Sequence, residues 1–438
     1  MMLCLKPSET ERFFKVFPES ALAASEALQN AGYEAYFVGG CVRDFLMNRA
    51  ANDFDLTTNA QSDEIIGLLS ASGFYAYLKG GACGTVGVKP PWNENSEKSD
   101  MNTDGGGNEN ENESEIEITP YRAEYGYYDH RHPTQIVFVK NIDDDLARRD
   151  FTVNSLAMTL KKRSDKDEAE IILVDIFGGA EDIEKRILRC VGSPSERFNE
   201  DALRILRALR FSAQLSFEIE EQTALALKEK RKLLGHISAE RKSAELKKTL
   251  ESECDGTERI LKEFSEVFGE FLGVISPDGV DKVYGNFCEK LFYILRLQNF
   301  ENFSKNTDGL KLSSAEKSAV LKYKKMFDAF PLSINENSKI PFETLSKLIA
   351  ENGYFFAGYL KIFGKYSEFA YIFEDSSVPK TVAELDICGE DLVAAGFAGK
   401  KIGETLLFLL ESALAGKIVN RKDKLTEYIK TAKDGKSI

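Results

Sequence analysis

The chain has no apolar run long enough to cross a bilayer: its densest apolar cluster, Leu406 to Leu410, falls far short of the roughly 20 residues a spanning helix needs. Its start, MMLCLKPSETERFF, lacks the basic stretch and apolar core of a secretion signal, so a cytoplasmic protein without membrane contact is expected. Cysteines stand at 4, 41, 83, 190, 254, 288 and 388 with no CxxC spacing, which points to reduced thiols and away from a zinc site. Histidine is scarce too. The three at 130, 132 and 236 are too few for a His-rich metal centre, so any catalytic metal has to rest on carboxylates. No repeat period marks a solenoid.

What is present is enough apolar residue, 43% of 438, to fill about two to four domain cores. The net charge of −14 argues against a nucleic-acid partner until it is mapped along the chain. Residues 93–115 alone hold eight acidic residues and one lysine, half of the excess. Residues 183–248 instead carry fifteen Lys/Arg against ten Asp/Glu, and residues 417–438 seven against three, so positive charge gathers where RNA can lie.

The stretch 93–115, rich in Asn, Glu, Ser and Gly, is too polar to offset the entropy of ordering and reads as a disordered insertion. Gly84 to Val88 before it and Glu115 to Thr119 after it are β-favouring, which predicts two adjacent antiparallel strands joined by the insertion. Upstream, the pattern predicts a helix over 20–29, a strand over 34–38, a turn at Gly39-Gly40, a helix over 42–47 and a strand over 54–57. Beyond about residue 182, helical periodicity dominates, as in 201–211 and 406–414.

Two features carry chemistry. Asp53-Phe-Asp55 places two carboxylates at i and i+2, on one face of an extended chain, where oxygen ligands suit Mg²⁺ and phosphoryl transfer. A lone D-x-D also describes a solvated turn. Gly39-Gly40 leads into a helix with Arg43 on its first turn, an arrangement in which bare backbone N–H groups can approach a phosphate, and equally an ordinary helix start.

The run VGGCVRDFLMNRAANDFDLTT (residues 38–58) resembles the signature of class II tRNA nucleotidyltransferases and bacterial poly(A) polymerases. DLARRDFTVNS (145–155) is similar to the second motif of that family, which implies that Arg149 and Asp150 recognise the ribose. EDALRILRALR (200–210) resembles its base-reading motif: Asp201 and Arg204, three apart on one helix, are implied as the base readers, with Arg207 and Arg210 contributing to nucleotide or triphosphate binding. An Asp acceptor beside an Arg donor matches the amine and ring nitrogen shared by CTP and ATP, and opposes UTP and GTP. By periodicity alone the same residues form a solvated helix face.

ISAERKSAEL (237–246) is similar to the motif that steadies the neck, and it also reads as a helix-opening capping box. Where the family usually carries His-Gly-Thr, this chain has Cys83-Gly84-Thr85, and the position of a third catalytic carboxylate falls on Glu117, with Glu115 on the same strand face. Tyr121 to Pro133 resembles the flexible loop of CCA-adding enzymes, and no Arg-rich run of the poly(A) polymerase kind follows the neck. Residues 385–420, with Gly389, Asp391, Gly396, Gly399, Gly403 and Asn420, are similar to the tail expected to grip tRNA, where Lys400 and Lys401 flank a helix start.

The resemblance therefore implies an α+β protein: a polymerase-beta-like nucleotidyltransferase head with a small mixed sheet (1–182), then an all-α neck (183–250), body (251–380) and tail (381–438). It implies a Mg²⁺-dependent enzyme that adds CCA to tRNA from CTP and ATP, with Asp53 and Asp55 as metal ligands, Glu117 as third carboxylate, and Gly40 and Arg43 on the triphosphate. The competing readings are a poly(A) polymerase, a CC-only or A-only enzyme, and an inert RNA-binding protein on the same fold. No obligate protein partner is evident.

Overall fold

A computed structural model describes residues 2–4, 7–51, 53–79, 81, 83–90, 115–162, 169–252, 254, 256–332 and 340–434. The expected disordered insertion at 93–115 lies outside the described residues except for Glu115. Two compact units divide the chain, Met1–Thr249 and Leu250–Ile438.

The first unit is built on eight strands, more than the short apolar runs suggest. They are β1 (Met2–Cys4), β2 (Ala35–Val38), β3 (Leu56–Thr58), β4 (Tyr75–Leu78), β5 (Val86–Lys89), β6 (Ile116–Pro120), β9 (Leu156–Lys162) and β10 (Ala169–Asp175), in the order β1-β10-β9-β2-β3-β6-β5-β4. Only β3 and β6 run parallel; the other neighbours are antiparallel, so the sheet is mixed. The strands flanking the insertion, β5 and β6, are antiparallel neighbours as their alternation requires. A separate hairpin, β7 (Arg122–Tyr127) with β8 (Pro133–Phe138), stands off the sheet, and β11 (Ile187–Leu188) pairs with β12 (Glu218–Ile219).

Against the sheet pack α1 (Pro7–Val16), α2 (Glu19–Asn30), α3 (Gly40–Leu46) and α4 (Ser62–Ala71). In α2 the buried residues Ala21, Ala24, Ser25 and Leu28 recur at helical spacing, and this stripe is what docks the helix. Phe13, Phe17, Phe37, Phe45 and Phe54 form one aromatic cluster, with Phe17 and Phe54 rings 5.2 Å apart. Burying a phenylalanine contributes about 1.5–3 kcal/mol, so Phe54 pegs the segment between Asp53 and Asp55 to the core. The strand begins two residues later than the pattern suggests: Asp53, Phe54 and Asp55 precede β3. The Val38 N–H donates to the Asp55 carbonyl at 3.0 Å and keeps that lead-in extended. Burial still alternates, with Phe54 and Leu56 in and both aspartates out.

Short helices α5 (Ile142–Ala147) and α6 (Gly179–Lys185) follow, then α7 (Pro194–Glu200), α8 (Leu203–Leu215), α9 (Glu221–Lys230) and α10 (Ala239–Leu250). The second unit is helical from α11 (Thr257–Glu263) to α21 (Lys422–Asp434), around a core that includes Phe292, Tyr359 and Phe363. Asn420 pins its last turn: it donates to the Glu384 carbonyl at 2.8 Å and accepts the Asp386 N–H at 2.9 Å. No helix among the described residues is long and apolar enough to cross a membrane.

Candidate nucleotide-binding cleft

A cleft of about 460 Å³ opens in the first unit. Gly39, Gly40, Arg43, Asp53, Asp55, Arg148, Arg149, Asp150, Asn154, Asp201, Arg204, Arg207 and Phe211 line it. Segments from three distant parts of the sequence, residues 39–55, 148–154 and 201–211, thus converge on one surface.

At one end β2 stops and the chain turns into α3. Gly39 has φ +76°, a conformation that favours glycine, and a Cβ there would stand 3.3 Å from Arg149 Nη1. Arg43 is fixed by Asp44, to which Nε and Nη2 donate at 2.9 and 3.0 Å, and by Asn154 Oδ1, which accepts from Nη1 at 2.7 Å.

Asp53 and Asp55 face the cleft beside this turn. The Asp55 side chain reaches solvent, yet the protein packed around it partly desolvates it, and this, followed by repulsion from Glu117, pushes its carboxyl pKa up to about 6. Glu117 does not line the cleft itself. It lies one strand away, a single step before the Leu56–Ile118 pair that registers β3 with β6. Its Oε1 accepts from Lys79 Nζ at 2.7 Å. Among the described residues no group of three or more His, Cys, Asp or Glu is placed to hold a metal ion by itself, so Asp53 and Asp55 offer an incomplete row of oxygen donors. Such a row fits a hard divalent cation whose shell is completed by phosphate oxygens and water, and a cation would relieve the repulsion that raises Asp55.

The opposite wall is arginine-rich and tightly paired. Asp145, fully buried, accepts from Arg148 at 2.8 Å and Arg149 at 3.2 Å. Burial opposes its ionisation, but the two guanidiniums outweigh that and hold its pKa below the usual carboxylate range. The same balance holds Asp150 at about 2: burial raises it, and Arg207, whose Nη2 lies 2.6 Å from Oδ2, lowers it more. Asn154 Nδ2 donates to Asp150 at 3.2 Å and so links Asp150 to Arg43. Arg149 Nε is buried with no hydrogen-bond partner in the protein.

Asp201 and Arg204 both line the cleft, though not from adjacent turns of one helix. Asp201 occupies the break between α7 and α8 with extended backbone (φ −131°, ψ 105°), and its Oδ1 accepts the Leu203 N–H at 3.0 Å. Arg204 is on the first turn of α8, buried, and donates to Glu200 Oε2 at 2.6 Å and to the Arg148 carbonyl at 2.9 Å. Arg210 points elsewhere: Nε donates to Glu245 Oε2 at 2.6 Å, both largely buried, which ties α8 to α10. Arg241 of the same α10 segment approaches Asp201 Oδ2 at 3.4 Å. Arg43, Arg207 and Arg210 all lie over the Phe211 ring, at 5.3, 5.2 and 4.0 Å.

Sequence reasoning did not single out Arg148, Asn154 or Phe211 as cleft residues, although each stands within or directly beside a motif that it used. Their polarity or size inside a motif was the available signal. The β7–β8 hairpin closes on the same region. The His130 carbonyl accepts the Ala202 N–H at 3.1 Å, next to Asp201, and His130 Nδ1 lies 2.6 Å from the Asn199 carbonyl.

Residues 35–189 match the family described as Poly A polymerase head domain, and residues 216–254 the one described as Probable RNA and SrmB- binding site of polymerase A. The chain is 41% identical over 221 residues to the CCA-adding enzyme of Lactobacillus helveticus, an alignment that covers 50% of this chain and 47% of that protein. It is 31% identical over 432 residues to the CCA-adding enzyme of Staphylococcus epidermidis, covering 94% and 97% of the two chains. Among solved structures, the Bacillus stearothermophilus CCA-adding enzyme in complex with CTP superposes with a TM-score of 0.68 at 25% identity, covering 98% of this chain and 100% of that one.

Proposed function

Because the chain belongs to the family of CCA-adding enzymes and is a nucleotidyltransferase, we propose that it adds CCA to the 3′ end of tRNA from CTP and ATP in the cleft of its first unit. The observation that supports this reading is the convergence there of carboxylates, a glycine turn with Arg43, the Arg149–Asp150 pair and the Asp201–Arg204 pair. The Gly39-Gly40 turn and Arg43 bind the triphosphate, Arg149 and Asp150 the ribose. Asp150, ionised at any physiological pH, accepts from a ribose hydroxyl.

Asp201 accepts from the exocyclic amine of cytosine or adenine, and Arg204 donates to the neighbouring ring nitrogen. Uracil and guanine set a carbonyl against Asp201 and an N–H against Arg204, leaving buried polar groups unpaired. One pair of side chains thereby admits C and A and rejects U and G. Restraint of Asp201 by the Leu203 amide and Arg241, and of Arg204 by Glu200, keeps both groups aimed before a base arrives.

Divalent metal dependence belongs to the family; Mg²⁺ is the ion we assign, held by Asp53 and Asp55, with Glu117 as third carboxylate. When bound, it supplies charge that lowers the pKa of the attacking 3′-hydroxyl and offsets charge on the phosphates. Lysine- and arginine-rich residues 183–248 and the tail at 381–438 bind the tRNA backbone. The described cysteines Cys41, Cys83, Cys190 and Cys388 are free thiols, which suits the cytoplasm as the place of action.

Incubating tRNA that lacks CCA with CTP, ATP or both, and sequencing the ends, tests this. CTP alone is expected to give CC, and the two together CCA. Failure to add C, or homopolymeric A on arbitrary RNA, would overturn the reading.

A further inference from the structure

Three adjacent strands on the carboxylate side present one polar face. The register aligns Tyr77 of β4, Gly87 of β5 and Glu117 of β6 in a row across the sheet. Side chains two strands apart ordinarily cannot meet, because the middle strand's residue stands between them. Here that residue is glycine. A Cβ on Gly87 would fall 2.2 Å from Glu115 Oε1 and 2.9 Å from Tyr77 Cζ. Through the gap, the Tyr77 hydroxyl donates to Glu115 Oε1 at 2.5 Å. Lys79 also crosses β5, its Nζ 2.7 Å from Glu117 Oε1 and 3.2 Å from Glu115 Oε2.

As a stabilising device this arrangement is weak. Lys79 and Glu117 are 39% and 44% exposed, and ion pairs so open to water contribute little to stability. Its effect is positional. Glu117 projects from the strand beside the Asp55 segment, one step before the Leu56–Ile118 pair that registers the two strands. Without a tether, the freedom of a partly exposed glutamate side chain would leave Glu117 unaimed at the aspartates.

We propose that Lys79 is a positioning residue that holds Glu117 beside Asp55 across the gap left by Gly87, and so completes the row of metal-binding carboxylates. This rests on the reading of Asp53 and Asp55 as metal ligands. Lys79 takes one oxygen of Glu117, Oε1, and shares its charge with Glu115, so it orients the carboxylate without neutralising it alone.

The test uses the full chain with Mn²⁺ as probe. Mn²⁺ binding is followed by electron paramagnetic resonance with CTP present and no tRNA, and transfer to tRNA is measured separately. Lys79→Met is expected to weaken Mn²⁺ binding and lower kcat about tenfold, the loss usual when a partner of a metal ligand is removed, with KM for CTP unchanged. Lys79→Arg, which keeps the charge and the reach, is expected to restore both. Gly87→Ala, checked for folding by circular dichroism, is expected to act in the same direction as Lys79→Met.

If Lys79 merely competes with the cation for Glu117, Lys79→Met will tighten Mn²⁺ binding, and the proposal falls. Unchanged binding in both Lys79→Met and Gly87→Ala overturns it as well. Asp53→Ala separates the two levels. Loss of Mn²⁺ binding in Asp53→Ala with none in Glu117→Gln sinks the role of Lys79 and leaves the metal reading intact. Normal binding in Asp53→Ala sinks both.

Discussion

The two sides of the cleft are held by opposite means. On the arginine wall, Asp145, Asp150 and Arg204 are buried and each is matched by an opposite charge within hydrogen-bond distance. On the carboxylate side, Asp53 and Asp55 reach solvent, Asp55 is partly desolvated and repelled by Glu117, and Lys79 pairs with Glu117. A wall that is already neutralised keeps its geometry while substrates come and go, which is what base and ribose selection needs. A row of carboxylates left in mutual repulsion is poised to take up a cation. On the proposed reading, recognition is built into one side, and the other is completed by what binds.

The largest effect should come from the open side. Asp53→Ala or Asp55→Ala is expected to reduce transfer by about 10³-fold or more while leaving tRNA and CTP binding measurable, as assayed by single-turnover kinetics and filter binding. Equal activity would erase the distinction between the sides. The closed side should instead fail by unfolding. Arg207→Met strands Asp150 as a buried charge without its counter-charge and is expected to cost about 3–5 kcal/mol in denaturant titrations.

That pair also sets an acid limit. The Asp150 pKa is depressed from 3.8 to about 2, so its contribution to stability is complete above about pH 4 and is lost as pH falls toward 2. Asp150→Asn should flatten this limb of the stability profile; an unchanged limb would place the effect elsewhere. The smallest effect lies away from both sides. Ser313 accepts the Glu316 N–H at 3.2 Å at the start of helix Ser314–Ala329, and Ser313→Ala is expected to cost about 1 kcal/mol with transfer unaltered.

Local patterns made much of this legible. The alternation at Glu115 to Thr119 gave the antiparallel β5–β6 pair, and the spacing around residues 38–58 gave a strand, a glycine turn and a carboxylate lead-in. Long-range partners were not. EDALRILRALR is periodic without interruption, so nothing in it marks the extended backbone at Asp201 that separates α7 from α8; packing of the two helices decides that break. Arg210 has the same spacing as Arg204 and Arg207, yet its direction is set by Glu245, 35 residues away. The gap at Gly87 depends on the register of three strands, two of them separated in sequence by the acidic insertion.

The account turns on Asp201 and Arg204 reading both C and A. The direct test is kcat/KM for CTP, ATP, UTP and GTP on tRNA ending before CCA and on tRNA ending in CC, for the parent chain, Asp201→Asn and Arg204→Met. The expected result is that discrimination against UTP and GTP collapses by about 10²-fold at both steps together, because one pair of groups serves both. Loss of selectivity for C with selectivity for A intact would contradict a single reader.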